Sequence, residues 1–208
     1  MLRLLQENRY DPQKKPHREL LASTSVALRR AWSIVNDLIN LPGLENNSYQ
    51  VELEPVRLKE ALSDSAQLVT IAAAENDVIL DVQYPADDLM VVVGRDLLLR
   101  VFDNFLFNAV RNTLPGEAVT LAAIDQGEQV EVRITNPGEK VDVLNPDELF
   151  EKFMQVKHQG TRKLRGASLG LYFCKLAVEA MQGEIRASVS EQGEWCFSVS
   201  VDKEGAIS

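Results

Sequence analysis

Between His17 and Leu41 the positions Leu21, Thr24, Leu28, Ala31, Val35 and Leu38 recur at alternating spacings of three and four. That repeat winds into one narrow stripe on an α-helix, the seam along which two helices of similar length meet. A homodimer through helix 17–41 is therefore expected, in preference to packing of the stripe on the helix's own domain. Pro42-Gly43 predicts the end of this helix. Upstream, Met1 to Asn8 reads as the last turns of an earlier helix and Arg9 to Pro16 as a polar loop with two prolines.

After a linker at Tyr49 to Pro55, the stretch Val56 to Asn76 carries Leu58, Ala61, Leu62, Leu68, Val69 and Ala72 at helical spacing, and Val78 to Tyr84 alternates as a half-buried strand does. Leu89 to Val93 is a short apolar run. Gly94-Arg95-Asp96 then predicts a turn and N-cap before a helix from Leu97 to Thr113, which Leu114-Pro115-Gly116 stops. Two strands with a turn at Asp125-Gln126-Gly127 follow, then a strand ending at Asn136, a long loop, a helix from Ser168 to Met181, and two closing strands joined by Glu191-Gln192-Gly193. The order predicts an α+β domain over residues 49–208, an antiparallel or mixed sheet with helices on one face, preceded by a helical dimerisation segment at 1–48.

Composition narrows what such a domain can do. A chain of 208 residues holds one sizeable core and a smaller helical element. Its net charge of -9, from 31 acidic and 22 basic side chains, repels a phosphate backbone and excludes a general nucleic-acid binder, so a polyphosphate would need a local cluster of cations. Two cysteines, Cys174 and Cys196, are too few for a disulfide framework or a zinc site and suit the reducing cytoplasm. The apolar runs fall short of the ~18 residues of a membrane span, so a membrane would enter only through parts absent from this chain.

Two segments carry candidate chemistry. Asn104, Asn108, Arg111 and Asn112 share one face of an otherwise apolar helix. Buried amides are costly unless satisfied, which leaves either hydrogen bonds to a sheet edge or a polar ligand such as a metal-bound phosphate. Farther on, Gly166 and Gly170 bracket a helix N-terminus at Ser168, Leu169 and Leu171, where free amides and the helix dipole favour an anion. Lys157, His158, Arg162, Lys163 and Arg165 cluster just upstream with Gly160, which reads as a basic lid over a triphosphate.

In this order and spacing, these elements resemble the ATP-binding domain of the sensor histidine kinases, members of the GHKL ATPase superfamily. Asp103 to Asn112 is similar to that family's N box, Glu148 to Phe153 to its F box, and Arg165 to Leu171 to its second glycine box, with Tyr172 to Ile185 resembling the helix and strand that follow. The helix at 17–41 and the Leu41 to Glu54 linker resemble the end of the family's dimerisation and phosphoacceptor domain. The resemblance implies a two-layer α/β sandwich of the Bergerat type that binds ATP and Mg2+. Asn108 would hold the magnesium, with Asn104, Arg111 and Asn112 near the phosphates. The amides from Gly166 through Ser168 and Leu169 to Gly170, followed by Leu171, would cradle the phosphate chain under Lys157, Arg162 and Lys163. It also implies transfer of the γ-phosphoryl of Mg-ATP to a histidine, and a response regulator as partner.

The chain departs from the family pattern at two places. The first glycine box reads Asp-x-Gly-x-Gly in the family, its aspartate accepting from the adenine amine; here Asn136 replaces the carboxylate, Gly138 is kept and Lys140 replaces the second glycine. An amide oxygen still accepts, about 1 to 3 kcal/mol more weakly for want of the charge. His17, followed by Arg18 and Glu19, does not match the family's phosphoacceptor motif and reads as a solvent-exposed histidine. If Met1 to Asn8 is the tail of the first bundle helix, the histidine box would lie upstream of this chain. Two functions stand side by side: an ATP-binding catalytic domain of a two-component kinase, or a pseudokinase that binds no ATP and serves as a dimeric signalling module.

Overall fold

The structure is a computed structural model that describes residues 11, 14–85, 88–138, 145–152 and 168–205. Helix α1 (Lys15–Glu45) precedes a domain in which β1 (Glu54–Arg57), α2 (Leu58–Glu75), β2 (Ile79–Gln83), β3 (Met90–Val93), α3 (Arg95–Asn112), β4 (Ala118–Asp125) and β5 (Gln129–Pro137) follow in turn. A 3₁₀ turn (Pro146–Phe150), α4 (Ser168–Ala180), β6 (Glu184–Val189) and β7 (Glu194–Asp202) complete it. The main sheet has five strands in the order β2-β4-β5-β7-β6; β2 pairs parallel with β4 and every other pair is antiparallel. Strands β1 and β3 form a separate antiparallel pair.

Period-two alternation sorts the sheet into an inner and an outer face. Leu121, Ile134, Phe197 and Ala187 lie side by side across β4, β5, β7 and β6, all buried beneath the helices. One residue along each strand, Thr120, Thr135, Cys196 and Ser188 form the neighbouring row on the opposite face. Onto the inner face α2 lays Leu58, Ala61, Leu62, Ala66, Val69 and Ala73, spaced at one side of a helix. Helix α3 adds Leu97, Leu98, Val101, Phe102, Phe105 and Leu106. The Phe105 ring meets Phe197 of the sheet at 5.3 Å between centroids and Phe150 of the 3₁₀ turn at 6.3 Å, with Phe150 edge-on to Phe197 at 6.2 Å.

Three sequence expectations change. Helix α1 does not stop at Pro42-Gly43 but runs to Glu45. Proline fixes a helical φ and removes one donor, so it costs a single bond here, and the chain turns only where Asn47 adopts φ 54 and the amides of Asn46, Ser48 and Tyr49 cap the carbonyls of Pro42 and Gly43. The segment read as a linker passing straight into a helix at Val56 instead forms β1, with the buried, β-branched Val56 opposite Val91 of β3. The strand ending at Asn136 is not a third strand after the Asp125-Gln126-Gly127 turn; it is the return arm of that hairpin, β5, reaching Pro137.

Replacing Phe105 with Ala removes the ring that joins helix, sheet and 3₁₀ turn, and is expected to lower stability by about 3–5 kcal/mol. Urea unfolding followed by far-ultraviolet circular dichroism measures this; a loss below about 1 kcal/mol would show that the three elements do not share one core.

Candidate functional site

Helix α3 buries one side against the sheet, which leaves its polar stripe on the other. Within that stripe Asn104 and Asn112 turn their amide groups back on the helix: Asn104 Nδ2 donates to the Arg100 carbonyl at 2.9 Å and Asn112 Nδ2 to the Asn108 carbonyl at 2.8 Å. Asn108 lies between them, 8% exposed, and its side-chain amide hydrogen-bonds to no described residue. Of the three asparagines, Asn108 is the one whose amide is not turned back on the helix, which leaves it open to a ligand or to water. Arg111 stands exposed near the C-terminal end of the stripe.

The first turn of α4 closes on this stripe from the side. A Cβ built on Gly170 would stand 2.5 Å from Asn104 Oδ1, so only glycine lets the α4 backbone come this near the asparagine. Leu169 is half-buried and Leu171 buried, pinning the turn to the core below. Two motifs far apart in the sequence are thus brought into contact at Asn104 and Gly170, 66 positions apart. Lys140, Lys157, His158, Arg162, Lys163, Arg165 and Gly166 lie outside the described residues, as does the side chain of Ser168.

At the end of β5, Asn136 is 3% exposed and sits opposite Trp195. Its Nδ2 donates to the Pro137 carbonyl at 2.8 Å, which fixes the amide so that Oδ1 is the open acceptor. Gly138 is held against the Trp195 indole, where a Cβ would come within 2.8 Å of Cδ1. No hydrogen bond joins Asn136 or Gly138 to the α3 stripe; the link runs through rings, Trp195 stacked on Phe197 at 6.2 Å and Phe197 against Phe105 of α3.

Sequence reasoning missed a charged cluster behind the stripe. Asp37 of α1 takes Arg100 Nε at 2.9 Å and its Nη2 on the same oxygen, while Asn104 Nδ2 lies 3.4 Å from the other oxygen. Burial raises the Asp37 pKa, against the opposing pull of Arg100 and Asn104. Asp103, beside it on α3, is pushed up to about 7, chiefly by burial; the Ser65 hydroxyl opposes this and the negative charges of Asp37 and Asp64 add to it. Its Oδ1 is buried with no hydrogen-bond partner. His17 also differs from expectation: it is half-buried, and its Nδ1 accepts from the Asp11 amide at 2.9 Å. Both cysteines are free. Among the described residues no group of three or more His, Cys, Asp or Glu side chains is placed to hold a metal ion, and no helix is long and apolar enough to cross a membrane.

The profile of a family described as "Histidine kinase-, DNA gyrase B-, and HSP90-like ATPase" matches residues 94–205. The chain is 28% identical over 182 residues to the alginate biosynthesis sensor protein KinB of Pseudomonas aeruginosa, covering 88% of this chain and 30% of that protein. It is 27% identical over 180 residues to the sensor histidine kinase CusS of Escherichia coli O157:H7, covering 86% and 37%. The chain thus spans well under half the length of these relatives. Among solved structures, the Acinetobacter baumannii histidine kinase AdeS matches with a TM-score of 0.67 at 16% identity, over 98% of this chain and 92% of that one. Full-length ShkA in complex with AMPPNP matches with a TM-score of 0.67 at 24% identity, over 87% and 38%. These structural likenesses are of fold, and the fold is the two-layer α/β sandwich expected from the sequence.

Because the Asp103 pKa is higher in the folded chain than its ordinary 3.8, the stability it contributes is complete below that value and is lost as the pH rises through about 7. In Asp103→Asn, which carries no charge at any pH, this loss is absent. The urea midpoint of the unsubstituted chain is expected to fall relative to the variant between about pH 4 and about pH 8, and parallel pH profiles would show that the carboxyl is ionised normally.

Proposed function

As the chain belongs to the histidine kinase-, DNA gyrase B- and HSP90-like ATPase family, we propose that it is the ATP-binding catalytic domain of a two-component sensor kinase, transferring the γ-phosphoryl of ATP to a histidine imidazole. The observation that carries the reading is Asn108, its amide not turned back on the helix, one turn from the Asn104–Gly170 contact. In the transfer, the bond from the γ-phosphorus to the bridging oxygen breaks, a bond to imidazole nitrogen forms, and ADP leaves. The protein's part is positioning and neutralisation of charge.

A magnesium ion fits the residues present. It is met through few protein ligands and many phosphate and water oxygens, which suits a site with an open amide oxygen and, among the described residues, no carboxylate cage. Bound there, it would draw charge from the phosphate oxygens. Asn108 would supply the protein oxygen; Asn104, Arg111, Asn112 and the amides of Ser168, Leu169, Gly170 and Leu171 would hold the phosphates, with Lys157, Arg162, Lys163 and Gly166 contributing from the segment that precedes α4. Asn136 would accept from the adenine amine through Oδ1, with Gly138 giving the base room beside Trp195. The comparisons lend no support to the alternative of a pseudokinase, and the open Oδ1 of Asn136 removes part of its motive.

The relatives are sensor kinases, and the reading extends to a response regulator as partner and to a cytoplasmic site of action where ATP is present. Helix α1 supports a homodimer. Leu21, Leu28, Val35 and Leu38 of the expected seam stay exposed, as do Trp32 and Ile39, with Leu28 at 66%, Trp32 at 68% and Ile39 at 67%. The division near residue 48 would then separate this dimerising helix from the ATP-binding domain.

Calorimetric titration with ADP and a non-hydrolysable ATP analogue is expected to show magnesium-dependent binding that weakens at least about tenfold in Asn108→Ala, the worth of one ligand bond. Absence of heat at millimolar nucleotide would end the catalytic reading. In sedimentation equilibrium the chain is expected to dimerise and Leu28→Asp to be monomeric; a monomeric parent chain would remove the role given to the α1 stripe.

A further inference from the structure

Helix α1 touches the domain through two carboxylates, one on an arginine of α3 beside the asparagine stripe and the other on Lys152 and a tyrosine of α4. Asp37 holds Arg100, which lies one turn before Asn104 and two before Asn108 on α3. Eight residues on, Glu45 accepts from Lys152 Nζ and from Tyr172 Oη, the latter at 3.0 Å. Tyr172 and its neighbour Phe173 belong to α4, within one turn of Gly170, and the Arg100 guanidinium lies over the Phe173 ring at 4.2 Å. Between the two carboxylates, Leu41 and Leu44 are buried against the domain.

We propose that docked α1 is an electrostatic competitor of the nucleotide: polyphosphate binding and release of α1 from the domain favour one another. The inference rests on the nucleotide reading of this site. In the docked form Asp37 compensates Arg100 and its other oxygen stands at the edge of Asn104, while Glu45 holds a second carboxylate against Tyr172 of α4. When α1 leaves, both carboxylates depart with it and Arg100 stays beside the stripe. Arg100 keeps its place because Phe173 supports it from beneath. A triphosphate arriving beside Asn104 and Asn108 therefore meets a more positive field when α1 is away, and linkage requires the converse, that bound nucleotide loosens α1. The lowered pKa of Glu45 and the raised pKa of Lys152, each set first by their mutual hydrogen bond, agree with a pair that is formed in the docked state.

The full chain and its variants Asp37→Asn and Glu45→Gln test this, with Mg-ADP as probe. Asp37→Asn keeps the shape and removes the charge, and is expected to bind Mg-ADP at least about fivefold more tightly. Glu45→Gln, whose pair is more exposed, is expected to move affinity in the same direction by less. Hydrogen exchange supplies the reciprocal readout: saturating Mg-ADP is expected to raise deuterium uptake across residues 36–45 of the unsubstituted chain. Should Asp37→Asn fail to fold with Arg100 left unpaired, Glu45→Gln decides by the sign of its change. Equal or weaker binding in the variants, or exchange in 36–45 that nucleotide leaves unchanged, overturns the competition while the nucleotide site stands. No binding by any of the proteins overturns the nucleotide reading and this inference with it.

Discussion

Helix α3 has to satisfy two demands at once, and the rest of the molecule is arranged around that. Its apolar side, with Phe102, Phe105 and Leu106 fully buried, ties it to the sheet and to the 3₁₀ turn, which fixes its rotation about its own axis. Once rotation is fixed, the asparagine stripe has one place to go, toward the first turn of α4. Gly170 then allows the backbone of that turn to approach Asn104 at a distance no side chain permits. Core packing sets the geometry of the polar site, and the site contributes little to the packing.

Behind the stripe, polar groups are crowded in a way that stability alone does not favour. Arg100 is half-buried and paired with Asp37, while the carboxyl of Asp103 on the same helix keeps one buried oxygen without a partner. Burying such a pair gains little over apolar packing, and removing one partner is costly. Burial shifts the Asp103 carboxyl toward its neutral form. Uneven local charge of this kind is common where a site must respond to a ligand.

Much of this architecture was legible in the residues. The helical spacing of Leu58, Ala61, Leu62 and Val69 and the alternation along Val78 to Tyr84 are local signals, and tertiary packing agreed with them. The asparagine stripe and the glycine-bracketed helix start were visible for the same reason, since both are patterns within one element. What was hidden is non-local. Strands β1 and β3, four residues each, exist because they pair with one another, and neither run is long enough to show a period. The Asn104–Gly170 contact depends on how α3 and α4 are laid side by side. Asp37 is adjacent to the seam residue Leu38 and carries no local mark that distinguishes it from a solvated helix charge. Pro42 reads locally as a barrier, whereas the capping amides beyond it determine where α1 ends.

Among the described residues the sheet has helices on one face only, and its capacity to absorb change is lopsided. The row Leu121, Ile134, Phe197 and Ala187 is hemmed in by α-helical side chains, and altered volume there must be met by a cavity or by strain. One position along the same strands, Thr120, Thr135, Cys196 and Ser188 face outward and bear no layer. Substitution at these four positions therefore stays clear of the helix-packed layer, and the pleat itself marks where the constraint set by the helices ends.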